Sequence, residues 1–184
     1  LMSGKLLNTG RFSVSATGGT ATGAANGNAN ADAIAFGVRV AAHLESTAAL
    51  PNTGSMLSNS GHMFVSAAGG VATADADASA SAYAYGVRIQ DSIKEDSVLT
   101  NSGSITAVAT AGNATGATVS QVANAYALHV GSVSRTTLDV GDFAGVSTTG
   151  TVNSTGSLIG RAHGDSGVGA GLYVNGSMDG DVNL

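Results

Sequence analysis

From Ala72 to Ala84 every second residue is alanine, with Thr, Asp, Ser and Tyr in the places between. A period of two places successive side chains on opposite faces of a β-strand. On a helix the same alternation spreads alanine around the whole circumference and leaves no apolar stripe, so pattern outweighs alanine's helix propensity. Thirteen such residues at about 3.3 Å each span about 43 Å, longer than a usual strand. The run must therefore turn a corner, and Gly86 and its counterpart Gly37 are the expected places. A bend near Tyr85-Gly86 lets alanines face a thin interior before it and Val87 and Ile89 after it. The opposite arrangement, with Tyr inside and Ala outside, is equally compatible with the pattern.

The passage recurs. Asn30–Val40 reads NADAIAFGVRV, Ala82–Ile89 AYAYGVRI, Ala123–Val130 ANAYALHV and Ala170–Val174 AGLYV. An Asn and a Gly precede each copy, at Asn8/Gly10, Asn59/Gly61, Asn101/Gly103 and Asn153/Gly156, with intervals of 51, 42 and 52 residues between the asparagines. Short extra copies at Asn52-Thr53-Gly54 and Thr148-Thr149-Gly150 account for the longer intervals. Self-similarity at such a period implies stacked repeats. The expected fold is all-β, a parallel β-helix (β-solenoid) of stacked coils. One domain spans 1–184, built from degenerate repeats at about 8–58, 59–100, 101–152 and 153–184, each holding about two coils of ~20–25 residues. Leu1–Leu7 reads as the end of a preceding coil, and the chain as part of a longer chain or assembly. Rungs stacked ~4.8 Å apart would let equivalent asparagines hydrogen-bond in a ladder.

Composition narrows the function classes. The 27 glycines, one proline and no cysteine suit many tight corners, not a collagen repeat or a Pro-rich linker. Charged residues are 10% and hydrophobic ones 43%, which favours order over disorder. A net charge of −5 with scattered cations disfavours nucleic acid as a partner. No segment approaches the ~20 apolar residues of a membrane-spanning helix. The most charged stretch, Gln90–Asp96, reads as a solvated loop.

Candidate chemistry is sparse. His43, His62, His129 and His163 lie far apart with no HxxxH spacing and are taken as surface or corner residues. Asp75 and Asp77 share a strand face, with Asp32 expected on the equivalent rung; calcium is conceivable there, but a solvated face is the simpler reading. Asp139/Asp142 and Asp179/Asp181 repeat that pattern more weakly. Arg39 and Arg88 recur at equivalent positions with His129 in the third, an outer charged ladder keeping the strand soluble. Phe36, Tyr83, Tyr85 and Tyr126 are expected to form an aromatic stack, in the core or as an exposed stripe. Three glycosylation-type triplets begin at Asn113, Asn153 and Asn175, a pattern common in a Ser/Thr-rich chain. No catalytic, cofactor-binding or metal-ligating residue is assigned.

The Asn-x-Gly starts, the Ala-x-Ala-x-Ala runs and the Gly-Val-Arg-Val/Ile endings resemble the passenger regions of bacterial autotransporter-type surface proteins. That resemblance implies a right-handed parallel β-helix exported to the cell surface, acting as an adhesin, stalk or fibre. The expected function is a non-catalytic extracellular structural protein, the shaft of an adhesin or a self-associating filament subunit. Exposed end rungs would pair head-to-tail, since an uncapped solenoid end offers free strand edges. Contact with host-surface or matrix polysaccharide is the further partner considered. The alternative is a β-helix carbohydrate-active enzyme or polysaccharide-binding module, which needs clustered carboxylates and aromatic platforms; the chain has no Trp.

Overall fold

The alternating runs form strands, and each strand lies beside its counterpart from the next repeat. The computed structural model describes residues 5–44, 56–94, 97–133, 135–140, 143–149, 151–179 and 181–184. Among these the chain is all-β with no helix. The first pass contains β1 (Lys5–Asn8), β2 (Arg11–Thr17), β3 (Thr20–Thr22), β4 (Ala29–Asn30) and β5 (Ala33–Val40). The second contains β6 (Met56–Asn59), β7 (His62–Ala68), β8 (Val71–Thr73), β9 (Asp77–Ser79) and β10 (Ala82–Ile93). The third contains β11 (Val98–Asn101), β12 (Ser104–Thr110), β13 (Asn113–Thr115), β14 (Thr118–Ser120) and β15 (Val122–Val133). A hairpin of β16 (Arg135–Val140) and β17 (Phe143–Thr149) follows, then β18 (Thr151–Ser154), β19 (Ser157–His163), β20 (Ser166–Val174) and β21 (Asp181–Asn183).

Corresponding strands pair parallel. The leading sheet runs β1-β6-β11-β18-β21, the facing sheet β2-β7-β12-β19 and the long-strand sheet β5-β10-β15-β20. Two three-stranded sheets, β3-β8-β13 and β4-β9-β14, form a side lobe. Among the described residues only β16 and β17 pair antiparallel. Register sets like over like: Ala84 beside Ala35 and Ala125, Val87 beside Val38 and Leu128, Leu99 beside Leu57 and Val152.

Each repeat is a single pass. Equivalent residues lie 51, 42 and 53 positions apart, so the expectation of two coils per repeat is corrected. Here one pass supplies five strands and a shared aliphatic interior. The hairpin of Arg135–Thr149 lies within the long third interval. It contains Thr148 and Thr149 of one extra Gly signal, whereas Asn52-Thr53-Gly54 lies outside the described residues.

Burial resolves the inside-or-outside question in favour of alanine. Ala82 and Ala84 are fully buried while Tyr83 and Tyr85 are half-buried. Beyond Gly86 the parity changes, and Val87 and Ile89 turn inward. Two successive inward residues within a continuous strand act as a bulge does, re-aiming everything after them. Glycine stands there for want of room: a Cβ on Gly86 would strike the Ile105 side chain and the Ala127 carbonyl. The expected corner is thus a change of facing within β10. The Ala72–Ala84 run is divided among β8, β9 and β10, with turns between.

Two cores result. The larger joins the leading, facing and long-strand sheets around Leu44, Leu57, Met63, Val65, Ile89, Leu99, Ile105 and Leu128. Each such side chain contributes roughly 1.5–3 kcal/mol on burial. The smaller core, in the lobe, is alanine only: Ala29, Ala31, Ala72, Ala74, Ala78 and Ala80. A neck separates them, where Gly70 N donates to Ala31 O and Gly112 N to Ala80 O, each at 2.7 Å. The lobe is held by close backbone packing, since methyl groups bring little apolar area. It ends at the third pass, because only Gly164 and Asp165 separate β19 from β20.

Gln90–Asp96 is corrected in part. Gln90–Ile93 continues β10, with Ser92 and Ile93 buried and a register shift between Ile89 and Ser92. A second change of parity hides inside a polar-looking string. Glu95 and Asp96 lie outside the described residues. At the start, Lys5–Asn8 is the first strand of the first pass, paired with Met56–Asn59, so the reading of that lead-in as a preceding coil is corrected from Lys5 onward; residues 1–4 lie outside the described residues.

Candidate functional site

The outer face of the long-strand sheet brings Phe36, Tyr85, Tyr126 and Tyr173 together with Arg39, Arg88 and His129. Register places Tyr85 between Phe36 and Tyr126, and Arg88 between Arg39 and His129. The Gly86 parity change brings both columns to the same face, although they stand three residues apart. Ring centroids are 5.1 Å apart for Phe36–Tyr85 and 5.4 Å for Tyr85–Tyr126, at interplanar angles of 14° and 24°. Such offset stacks contribute about 0.5–1.5 kcal/mol each beyond their area. Ring faces are turned along the column, leaving ring edges towards solvent.

The expected aromatic stack is corrected in membership. Tyr83 is in the neighbouring row, beside Ile34 and Asn124. Tyr173 joins instead, 5.1 Å from Tyr126 and 5.2 Å from His129, because its register partner is His129. The truncated last copy, AGLYV, hid that alignment.

The cations rest on the rings. The Arg88 guanidinium carbon is 4.8 Å from the Tyr85 centroid and 5.7 Å from that of Phe36, over which Arg39 lies at 5.3 Å. Arg39 also donates to Gln90 Oε1 at 3.1 Å. His129 meets Tyr85 and Tyr126 edge-on. Desolvation first, and the Arg88 charge second, lower the His129 pKa from 6.5. Desolvation raises the Tyr85 and Tyr126 hydroxyls above 10.0; at Tyr85 the Arg88 charge acts in the opposite sense.

A second cluster was not anticipated. His43 Nδ1 lies 2.8 Å from Ser92 Oγ, and its Nε2 lies 3.1 Å from Asp91 Oδ2 and 3.2 Å from Lys94 Nζ. Ser, His and Asp at these distances are the components of an acyl-transfer site. Ser92, however, is 2% exposed, so no substrate carbonyl reaches its Oγ. The cluster fastens the end of the first pass to the end of β10. Its signal was the repeat offset: His43 and Ser92 are 49 residues apart, as are Asp32 and Ser81.

The other candidates stand apart. Asp32 is not stacked on Asp75 or Asp77; its Oδ1 accepts from Ser79 Oγ and Ser81 N, each at 2.7 Å, and thereby caps the start of the next strand. Asp77 N donates to Asn28 Oδ1. Among the described residues no three His, Cys, Asp or Glu converge. His62 bonds Ser104 Oγ at 2.7 Å, and His163 ends β19 opposite Thr110. Asp139 is in β16, and Asp142 lies outside the described residues. No helix among the described residues is long and apolar enough to cross a membrane.

Compared with protein-family models, with curated proteins and with solved structures, the chain matches none.

Proposed function

We propose that the chain is a closed, right-handed β-solenoid and serves as a rigid, non-catalytic structural element outside a bacterial cell, in a surface filament or adhesin. The observation that carries this reading is the in-register parallel pairing of like residues through successive passes. Such an object is quasi-one-dimensional: each pass contacts only its neighbours, and stiffness along the axis comes from the stack.

The first pass is suited to stacking against a further pass, in a filament or in an adhesin shaft. Leu6 and Phe12 are 40% and 37% exposed, whereas their column partners Leu57, Leu99, Met63 and Ile105 are 0–3% exposed. Burying them takes another pass, and among the described residues the outer edges of β1, β2 and β5 have no partner strand and can template it. The stacked ring faces, already covered by one another, speak against the sugar platforms a carbohydrate-active enzyme requires.

Electron microscopy of the purified chain at micromolar concentration, with sedimentation over a dilution series, tests this. Unbranched filaments with a cross-β spacing of about 4.8 Å along the axis are expected. Rods that stay monomeric would refute head-to-tail addition. A helical far-UV spectrum, or antiparallel pairing throughout, would refute the solenoid itself.

A further inference from the structure

We propose that Tyr126 and Tyr173 are the site of an oxidative cross-link, a carbon–carbon bond between their rings that staples the third pass to the fourth on the outer face. The inference goes beyond the function proposed above and needs only the strand register. β15 and β20 are parallel neighbours, with His129 beside Tyr173. Tyr126 is three residues before His129, yet the parity change brings its ring to the same face, and the Tyr126 and Tyr173 centroids are 5.1 Å apart. Two reacting groups held in contact within one chain couple far faster than the same groups on separate dilute chains.

Tyr85, Tyr126 and Tyr173 touch in turn, and three observations select the last pair. Tyr85 and Tyr126 are stacked face on face at 24°. A bond between ring carbons joins rings at their edges, so that pair has to unstack first. Tyr126 and Tyr173 lie at 47°, part-way to the twisted arrangement of two directly joined rings. Charge selects the same pair. The Arg88 guanidinium carbon is 4.8 Å from the Tyr85 centroid, and a cation over a ring face holds the ring's electrons more tightly. His129, against both Tyr126 and Tyr173, has a pKa lowered from 6.5 and is uncharged at neutral pH, so it sets no such obstacle. Access agrees: Tyr173 is 36% exposed and Tyr126 9%. The Tyr173 hydroxyl makes only a long hydrogen bond, 3.5 Å to Asn175 Oδ1. An oxidant therefore meets Tyr173 first, and Tyr126 through it.

The oxidant is a peroxide acting in one-electron steps. Tyr173 gives up an electron and its hydroxyl proton, the proton passing to solvent, and becomes a phenoxyl radical. Tyr126, in ring contact, returns an electron to it; the Tyr126 hydroxyl proton is lost and Tyr173 regains one from solvent. A second oxidation of Tyr173 leaves two radicals side by side. Their unpaired electrons form a bond between the ring carbons ortho to the hydroxyls. The hydrogen on each of those carbons then moves to the adjoining oxygen, which restores both phenols. The two electrons and two protons released reduce one hydrogen peroxide, whose O–O bond breaks to give two waters. The product ties together residues on successive passes, and it limits the unfolded chain as a disulfide does.

The test treats the full chain, folded and dilute, with hydrogen peroxide and a haem peroxidase. Mass spectrometry of the digested product locates the bond, and the blue emission of coupled tyrosines follows its yield. The expected main product is a single chain lighter by two hydrogens, with Tyr126 joined to Tyr173 and a raised urea midpoint. Tyr126→Phe and Tyr173→Phe keep the rings and remove the reacting hydroxyls. Each is expected to lower the yield within one chain about tenfold or more, with far-UV spectra unchanged. Tyr83→Phe and Tyr85→Phe are expected to couple as the parent does, since Tyr83 is in the neighbouring row beside Ile34 and Asn124 and Tyr85 is held in its stack. Tyr85 joined to Tyr126 as the main product, chains joined to one another as the main product, or an undiminished yield from Tyr173→Phe would each overturn the proposal. So would the absence of coupling in the folded chain where a free tyrosine peptide couples under the same conditions.

Discussion

Asn59 Nδ2 donates to Asn101 Oδ1 across 2.7 Å, and both residues are 1% exposed. Asn59 Oδ1 in turn accepts from Asn8 Nδ2 at 2.7 Å, and Asn101 Nδ2 reaches Ser154 Oγ at 3.2 Å. The ladder is polar: every amide donates towards the next pass. Its fourth member is Ser154 and not Asn153, because β18 pairs Asn101 with Ser154. The Ser154 hydroxyl then donates to Gly156 O within its own pass, which ends the relay.

Breaking the ladder in its middle takes the Asn59 donor from the buried Asn101 Oδ1 and the Asn59 acceptor from Asn8 Nδ2. Asn59→Ala is expected to cost about 1–3 kcal/mol, read from the urea midpoint at constant slope. Asn8→Ala, at the half-exposed end of the ladder, is expected to cost less.

The alanine lobe is closely packed at its neck, where Gly69, Gly70 and Gly112 leave no room for a Cβ. Ala80 is fully buried opposite the neck glycines, and its carbonyl receives Gly112 N. Ala80→Leu is expected to destabilise by about 1–3 kcal/mol or more through overpacking. Thr73→Ser, on the exposed face of β8, is expected to stay within about 0.5 kcal/mol. Thermal melts of the pair check both.

Tyr85 is stacked on both sides and carries Arg88. Tyr85→Ala removes two ring stacks and one cation–π contact, for an expected loss of about 1–3 kcal/mol. The near-UV circular dichroism of the coupled tyrosines is expected to fall with it. An unchanged near-UV spectrum would contradict the stack.

Stability is expected to fall at both ends of the pH range. His129 has a lowered pKa in the fold, so below 6.5 the unfolded chain takes up a proton that the folded chain resists, and stability drops as pH falls. Tyr85 and Tyr126 have raised values. Above 10.0 the unfolded chain loses protons that the folded chain keeps, and stability drops as pH rises. Melting temperature against pH measures this, and His129→Gln is expected to flatten the acidic limb.

Much of this is legible in the sequence. The Ala72–Ala84 alternation marked strands, and the equivalence of Arg39, Arg88 and His129 named a column that the strand register reproduces. The misreadings share one cause. Gln90–Ile93 looked like a loop because a parity shift places Ser92 and Ile93 inward, and a pattern that assumes a fixed period cannot follow it. Matching by residue identity selects Asn153 over Ser154 and Tyr83 over Tyr173, whereas the register pairs Asn101 with Ser154 and His129 with Tyr173. The His43–Ser92–Asp91 cluster joins residues about 49 positions apart, visible only once that offset is applied to polar residues.

Local chemistry was enough to specify strands, glycine corners and recurring units, since alternation and small residues act over neighbouring positions. Which face of β10 is buried, how many passes make a repeat and which side chains share the outer strip depended on long-range pairing. A shift of one residue reverses every side chain in a strand, and only the packing of one pass against the next selects among such registers.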